Sequence, residues 1–115
     1  MPVQLKRVYE VPAKADGVRV LVDRVWPRGV TKQAARVDEW LKDLGPSTEL
    51  RRWFNHDEAR WSEFQSRYQA ELRAQDQQAR LEHLRLLAAE GTLTLVYSAK
   101  DTEHNQAAVI AAELT

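Results

Sequence analysis

The clearest strand signal in the chain is VRVLVDRVWPRG, residues 18–29. Five of its first nine residues are Val or Leu, and positions 18, 20 and 22 place apolar side chains on one face of an extended strand. Pro27 has no N–H to donate and holds the preceding residue in an extended conformation, so the strand should end there. Gly29 then allows a sharp turn. This strand therefore leads directly into charged and aromatic residues that a core does not readily accommodate.

Two other segments predict strands of the same sheet. Residues 3–9, VQLKRVY, alternate between apolar and polar as a half-exposed strand does, and residues 92–99, TLTLVYSA, form a second buried run. We expect 18–25 and 92–98 to be neighbouring parallel strands with their carboxyl ends together, because both runs end in polar clusters. Residues 3–9 should join this sheet, although the short connection that follows favours a hairpin on length alone.

Helical spacing of apolar residues is found in the remaining segments. Thr31 is the predicted N-cap of a helix over 32–44, in which Trp40 is expected to anchor the core. Asp101 is the predicted N-cap of the last helix. Between these two helices, the spacing of apolar residues fits either a break near residue 75 or one continuous helix over 58–90. The other predicted helices are 48–54 after Ser47 or Thr48, one after Asp57 with Trp61 as a core anchor, and one from Asp76 that ends at Gly91.

Composition limits the class of protein. A chain of 115 residues, 43% hydrophobic and 30% charged, suits one soluble domain over 1–115. The apolar runs are far shorter than the ~20 residues that span a bilayer, and the N-terminus lacks the apolar core of a signal peptide, so we expect a cytoplasmic protein. The absence of cysteine excludes disulfides and thiolate chemistry. A net charge of zero argues against a general nucleic-acid binder. The order of strands and helices predicts an α/β fold with about three strands.

Polar residues follow the ends of two predicted neighbouring strands. In open α/β sheets, ligands bind beyond the carboxyl ends of the strands, and the first turn of a helix attracts anions. We therefore expect a cleft that binds a small ligand bearing phosphate or carboxylate. The alternative is that Asp23 and Arg24 form structural ion pairs at the sheet edge. The candidate ligand-binding residues are Arg24, Trp26, Arg28, Ser98, Lys100, Asp101, His104 and Asn105.

Candidate catalytic residues, if the protein is an enzyme, are Asp23 and His56. His56 lies in a predicted turn between helices, where a pKa near neutrality would let it act as acid or base, with Asp57 to orient it. An equally simple role for His56 is a hydrogen bond to a backbone carbonyl at the helix boundary. Asp101 and His104 could join Asp23 and His56 around a metal, but the His spacing of a helical zinc motif is missing. No metal and no cofactor are therefore predicted.

Three blocks of sequence carry a resemblance to a known family. DGVRVLVDRVWPRG (16–29), DEWLKDLGPSTELRRWFNHD (38–57) and TLTLVYSAKDTEHNQA (92–107) resemble, in this order, the YeaO-like branch of the family called domain of unknown function 488. The resemblance covers nearly the whole chain. It implies a small three-layer α/β domain with a mostly parallel sheet, to which 3–9 adds a parallel strand. Other branches carry a cysteine near the end of the last strand, where this chain has Ser98 and Ala99, so a thiol mechanism does not carry over.

Two other functions remain open at this point. One is a nucleic-acid-associated or regulatory module, in which Arg and Trp side chains contact phosphates and bases. The other is a protein-interaction module with Trp26 and Trp53 as anchors. Stabilisation by specific small anions favours the ligand site, whereas steeply salt-dependent binding to oligonucleotides favours the nucleic-acid module.

Overall fold

A computed structural model describes residues 3–114 as a parallel sheet with helices on both faces. The strands are β1 (Val3–Arg7), β2 (Val18–Leu21), β3 (Glu39–Trp40) and β4 (Leu93–Tyr97). The helices are α1 (Lys32–Ala35), α2 (Thr48–Phe54), α3 (Trp61–Glu71), α4 (Gln75–Glu90) and α5 (Gln106–Glu113). Single 3-10 turns at Lys14–Asp16, Lys42–Leu44 and Glu58–Arg60 connect some of them. The predicted α/β class is confirmed, with a fourth strand added. No helix within the described residues is both long and apolar enough to cross a membrane.

The strand order is β1-β4-β2-β3, and every neighbouring pair is parallel. β4 lies between β1 and β2, with Leu95 opposite both Leu5 and Val20. This confirms the predicted parallel pairing of the second and last strands, and it confirms the parallel position of the first strand. All four carboxyl ends consequently lie along one edge of the sheet, and this edge carries the polar residues singled out above.

The predicted helix over 32–44 is wrong. Thr31 does cap α1 through its hydroxyl, which accepts the N–H of Ala34, but α1 ends after one turn because Arg36 adopts a left-handed conformation with φ 48°. The chain then extends, and the Asp38 N–H donates to the carbonyl oxygen of Arg19 at 2.8 Å. β3 follows and pairs with β2. Backbone pairing at the open edge of β2 therefore outweighs the helical spacing of this segment.

The main core lies between one face of the sheet and helices α2 to α5. Val20, Leu93 and Leu95 supply the sheet side, and all three are fully buried. The helices contribute apolar side chains at the spacing that the sequence predicts for one buried stripe each. Tyr68, also fully buried, donates its hydroxyl to the carbonyl oxygen of Leu44 at 2.6 Å, which ties α3 to the turn before α2. The helix side of this core includes Leu50, Phe54, Phe64, Leu81, Leu84, Ala107 and Ile110.

The opposite face of the sheet is half apolar and half polar. Towards the carboxyl edge, Leu21 and Val96 pack with Ala35 and Trp26. Towards the amino end, Asp16 accepts hydrogen bonds from two basic side chains, Lys6 and Arg19. Arg19 is only 3% exposed, and its guanidinium also donates to the carbonyl oxygen of Ala35. This buried cluster, Lys6–Asp16–Arg19, links β1, β2 and α1.

The structure decides between two alternatives at one helix boundary and differs from the sequence prediction at another. The segment from 58 to 90 is broken, since α3 ends at Glu71 and α4 begins at Gln75, so the continuous alternative is excluded. The last helix is capped by Asn105 and not by Asp101, because the Asn105 side chain accepts the N–H of Ala108 at 3.0 Å. Asp101 instead accepts backbone N–H groups within the preceding loop.

Candidate functional site

A pocket of about 390 Å³ opens at the carboxyl edge of the sheet, beyond β2 and β4. We call it the strand-end pocket. The residues predicted for the site that line it are Asp23, Arg24, His56, Ser98, His104 and Asn105. Its other lining residues are Val25, Pro46, Arg51, Arg52, Phe54, Asn55, Phe64, Ala99 and Gln106. Segments distant in sequence therefore meet at the place where open α/β sheets bind ligands.

Asp23 is the buried acid of this pocket. It lies two residues after the end of β2 and is 7% exposed, and its Oδ1 accepts a hydrogen bond from Gln106 Nε2 at 2.5 Å. Burial raises the pKa of Asp23, and hydrogen bonds from Ser98 and Gln106 together with the charge of Arg51 offset only part of this effect. A carboxylate held in this way is a fixed hydrogen-bond acceptor that faces the pocket.

Arg24 is committed to the protein backbone. Its Nε donates to the carbonyl oxygen of Pro46 at 2.8 Å and its Nη2 to that of Gly45 at 2.6 Å. The remaining Nη1 lies 4.0 Å from an Asp43 carboxylate oxygen. Within residues 3–114, the predicted ion pair of Arg24 thus exists only as this long contact with Asp43. Most of the guanidinium is occupied in fixing the turn before α2, which leaves little of it for an anion.

Arg51 and Arg52 supply the other positive charges of the pocket. Both lie on α2 and line the pocket wall. Neither guanidinium makes a hydrogen bond or ion pair with any residue from 3 to 114. These two residues were not among the predicted ligand-binding residues. The signal for Arg51 lies in its spacing, because it is three residues before Phe54 and therefore shares the buried face of a helix with it.

His56 lies at the rim of the pocket in a strained turn. Asn55 and His56 both adopt the left-handed region, with φ 45° and φ 55°. The His56 ring makes no hydrogen bond within the described residues, and its centroid lies 6.3 Å from that of the Phe54 ring. Asp57 does not orient it, since Asp57 accepts the N–H of Ala59 and pairs with Arg60. Neither predicted role for the His56 side chain, acid–base pairing with Asp57 or a backbone hydrogen bond, is seen here.

Asp101 and His104 form a pair beside the pocket. His104 Nδ1 lies 2.8 Å from Asp101 Oδ2, and the His104 ring packs edge-on against Trp61 with centroids 5.1 Å apart. Backbone N–H groups of Glu103 and His104, together with the His104 ring, lower the pKa of Asp101 to about 2. The hydrogen bond to Asp101 in turn raises the pKa of His104. Asp101 therefore orients a His104 ring that lines the pocket.

One group of side chains has the types that metals prefer. Ligand atoms of Glu58, Asp101 and His104 lie within 4.8 Å of one another. Glu58 is exposed, and His104 Nδ1 is already bonded to Asp101. Exposed groups of this kind are common on protein surfaces without an ion, so this group alone indicates no particular metal.

Four predicted ligand residues lie outside the lining of the pocket: Asp101, described above, and Trp26, Arg28 and Lys100. Trp26 packs on the opposite face of the sheet, where its Nε1 donates to the carbonyl oxygen of Val30 at 2.6 Å. Arg28 and Lys100 are exposed. The pocket therefore brings together only part of the predicted ligand-binding set, and a part for Trp26, Arg28 and Lys100 in binding stays a prediction.

Comparison with known proteins agrees with the three sequence blocks. A family model described as the inactive DUF488-N3 subclade matches residues 2–115. The chain belongs to this family. It is 44% identical over 111 residues to "Uncharacterized protein YeaO" of Escherichia coli (strain K12), which covers 96% of this chain and 95% of that protein. It is 45% identical over 109 residues to "Uncharacterized protein Rv3073c" of Mycobacterium tuberculosis (strain ATCC 25618 / H37Rv), covering 95% and 90%. No solved structure matches significantly.

Proposed function

We propose that this protein binds a small ligand bearing a carboxylate or phosphate in the strand-end pocket, and that it acts by binding and not by catalysis. The observation that carries the proposal is the unpaired guanidinium of Arg51 on the pocket wall. Arg presents a planar set of donors that matches carboxylate and phosphate, and here those donors have no partner within the described residues. Arg52 adds a second positive charge beside it.

A binding role is favoured over a catalytic role by two observations. Asp23 and His56, the candidate acid–base groups, share no hydrogen bond, and the His56 ring lacks an orienting carboxylate. The family description "inactive" also fits a domain that retains a pocket without turnover. We expect the bound ligand to stabilise the native state, since a ligand that binds only the folded protein does so by mass action.

The test is a series of thermal melts with inorganic phosphate, sulfate and acetate at matched ionic strength. The bound anion should stabilise the wild type by about 2.7 kcal/mol at a hundred times its dissociation constant. Arg51→Gln should lose most of this gain. Arg73→Gln is the matched control, because Arg73 is exposed, lies outside the pocket and makes no side-chain hydrogen bond or ion pair within residues 3–114. Equal stabilisation of wild type and Arg51→Gln would contradict the proposal. Steeply salt-dependent binding to oligonucleotides would instead favour the nucleic-acid module.

A further inference from the structure

Opposite charges face the strand-end pocket without pairing. Asp23 follows β2 and Arg51 lies on α2, and the charge of Arg51 is close enough to lower the pKa of Asp23. The two side chains nevertheless form no ion pair. Asp23 accepts a hydrogen bond from Gln106 of α5, whereas the Arg51 side chain extends from α2 and makes no hydrogen bond with residues 3–114. The pocket therefore presents an acceptor and a donor to whatever occupies it.

The carboxylate of Asp23 limits the kind of anion that suits Arg51. A ligand with negative charge alone would bring that charge beside a buried carboxylate, and like charges at close range oppose binding. A ligand that also carries an ammonium group removes this conflict, since the ammonium donates to Asp23 while the anion binds Arg51.

Part of the pocket wall is apolar. Phe54 and Phe64 are buried and stack with ring centroids 4.3 Å apart, and both line the pocket. Val25, Pro46 and Ala99 extend this apolar part of the lining. A hydrocarbon body between or beside the charged groups of the ligand would gain from contact with this surface.

We propose that the ligand is zwitterionic, with its carboxylate or phosphate on Arg51, its ammonium on Asp23 and its apolar portion against Phe54 and Phe64. This inference rests on the proposed function, because it assigns the anion to the same site. It adds a positive charge on the ligand, and it names the chemical class of the ligand as an amine that also carries an acid group.

The experiment measures dissociation constants by calorimetry for three probes that share a ring and chain length. These are phenylalanine, 3-phenylpropionate and 2-phenylethylamine, which carry both charges, the anion only and the cation only. Wild type should bind phenylalanine at least about tenfold more tightly than 3-phenylpropionate, a difference of about 1.4 kcal/mol. In Asp23→Asn this preference should fall to within about twofold, because the shape is kept and the charge is removed. Arg51→Gln should weaken both acids.

The outcomes separate the two proposals. Equal binding of phenylalanine and 3-phenylpropionate by wild type would overturn the zwitterion and leave the anion site intact. A preference unchanged in Asp23→Asn would also overturn it. Failure of phenylalanine, 3-phenylpropionate, phosphate and acetate together would overturn the proposed function itself. Repeating the comparison with glycine, acetate and methylamine removes the ring, so that probe size does not determine the result. The wild-type comparison is decisive even if a variant does not fold.

Discussion

Arg24 is a crosslink between two segments distant in sequence. Its guanidinium donates to the carbonyl oxygens of Gly45 and Pro46. Gly45 also packs so closely that an added Cβ would lie 3.2 Å from the backbone nitrogen of Arg24. Arg24→Ala should therefore destabilise the fold by about 2–3 kcal/mol, since two charge-assisted hydrogen bonds are lost and two carbonyls lose their donors. Arg24→Lys should not restore stability, because an ammonium cannot reproduce the planar fork. Urea unfolding measures both effects.

The control for this substitution is Arg28→Ala. Arg28 is exposed and its guanidinium makes no hydrogen bond or ion pair with residues 3–114. A surface change of this kind should alter the unfolding free energy by less than about 0.5 kcal/mol. If Arg24→Ala cost no more than Arg28→Ala, the crosslink would have no energetic importance.

At the residue scale, the predicted pairing of the strands was enough to predict that some site residues meet. Which face of each helix turns towards the pocket could not be predicted in this way. Asp23 and Ser98 follow neighbouring parallel strands, and their meeting at the pocket follows from that pairing alone. The spacing of Arg51 from Phe54 placed it near the buried face of α2, but which pocket that face meets depends on how the helix packs, so Arg51 was missed; Arg52 is exposed and carries no such signal. The roles of all these residues in binding stay predictions.

At the element scale, Trp26 and Trp40 should contribute to stability in the opposite order to the one that the sequence predicts. Trp26 is half-buried against Leu21 and Val96, whereas Trp40 is 38% exposed. Their rings meet edge to face at 5.3 Å. Trp26→Ala should cost about 3 kcal/mol, and Trp40→Ala should cost roughly half as much, because less apolar area leaves a buried environment. The sequence predicted the reverse, with Trp40 in the core and Trp26 in the cleft.

Urea melts of both Trp variants check this order. Trp61→Ala is a useful third variant, since Trp61 is half-buried against Phe54 and Phe64 on the other face. It should resemble Trp26→Ala and exceed Trp40→Ala. A larger loss for Trp40→Ala than for Trp26→Ala would show that the hydrogen bond from Trp40 Nε1 to the Asp23 carbonyl oxygen, 2.7 Å long, outweighs the packing of Trp26.

The segment 32–44 shows why an element can be misassigned while its neighbours are correct. Its apolar residues recur at helical spacing, but short runs of this length are ambiguous between helix and strand. The open edge of β2 offers the backbone N–H and carbonyl oxygen of Arg19, and Asp38 bonds to both. The Asp38 N–H donates to the Arg19 carbonyl oxygen, and the Asp38 carboxylate accepts the Arg19 N–H. Such long-range partners are absent from any local pattern. The strands 18–21 and 93–97 needed no such information, because their apolar runs specify burial directly.

At the scale of the whole molecule, the Lys6–Asp16–Arg19 cluster should make stability depend on acid pH. Burial alone would raise the pKa of Asp16, but hydrogen bonds from the Ala13 N–H, Lys6 and Arg19 outweigh it and lower the pKa. A carboxyl with a depressed pKa in the folded state stabilises the protein above its unfolded pKa, near 3.9, and this contribution is lost as pH falls through the folded value.

Asp16→Asn tests this dependence. At pH 7 the substitution should cost about 3 kcal/mol, because it leaves the buried Arg19 guanidinium without its counter-charge. Below about pH 4 the difference between wild type and variant should shrink, since wild-type Asp16 also becomes neutral. Urea midpoints from pH 7 to pH 2.5 provide the measurement, with the exposed Glu90→Gln as control. A difference that stays constant across this range would assign the cost to shape and not to charge.

The central position of β4 governs when the molecule can assemble during its synthesis. β1 and β2 are not neighbours, and the strand that pairs with both of them, β4, lies at residues 93–97, some 90 positions after β1. Of the sheet contacts, only the short pairing of β2 with β3 can form before β4 leaves the ribosome. Contacts this distant in sequence carry a large loop-closure cost and form slowly. In the nascent chain β1 therefore stays unpaired, and β2 is paired on one edge only, until residues 93–97 have been synthesised; unpaired strand edges of this kind favour aggregation during that interval.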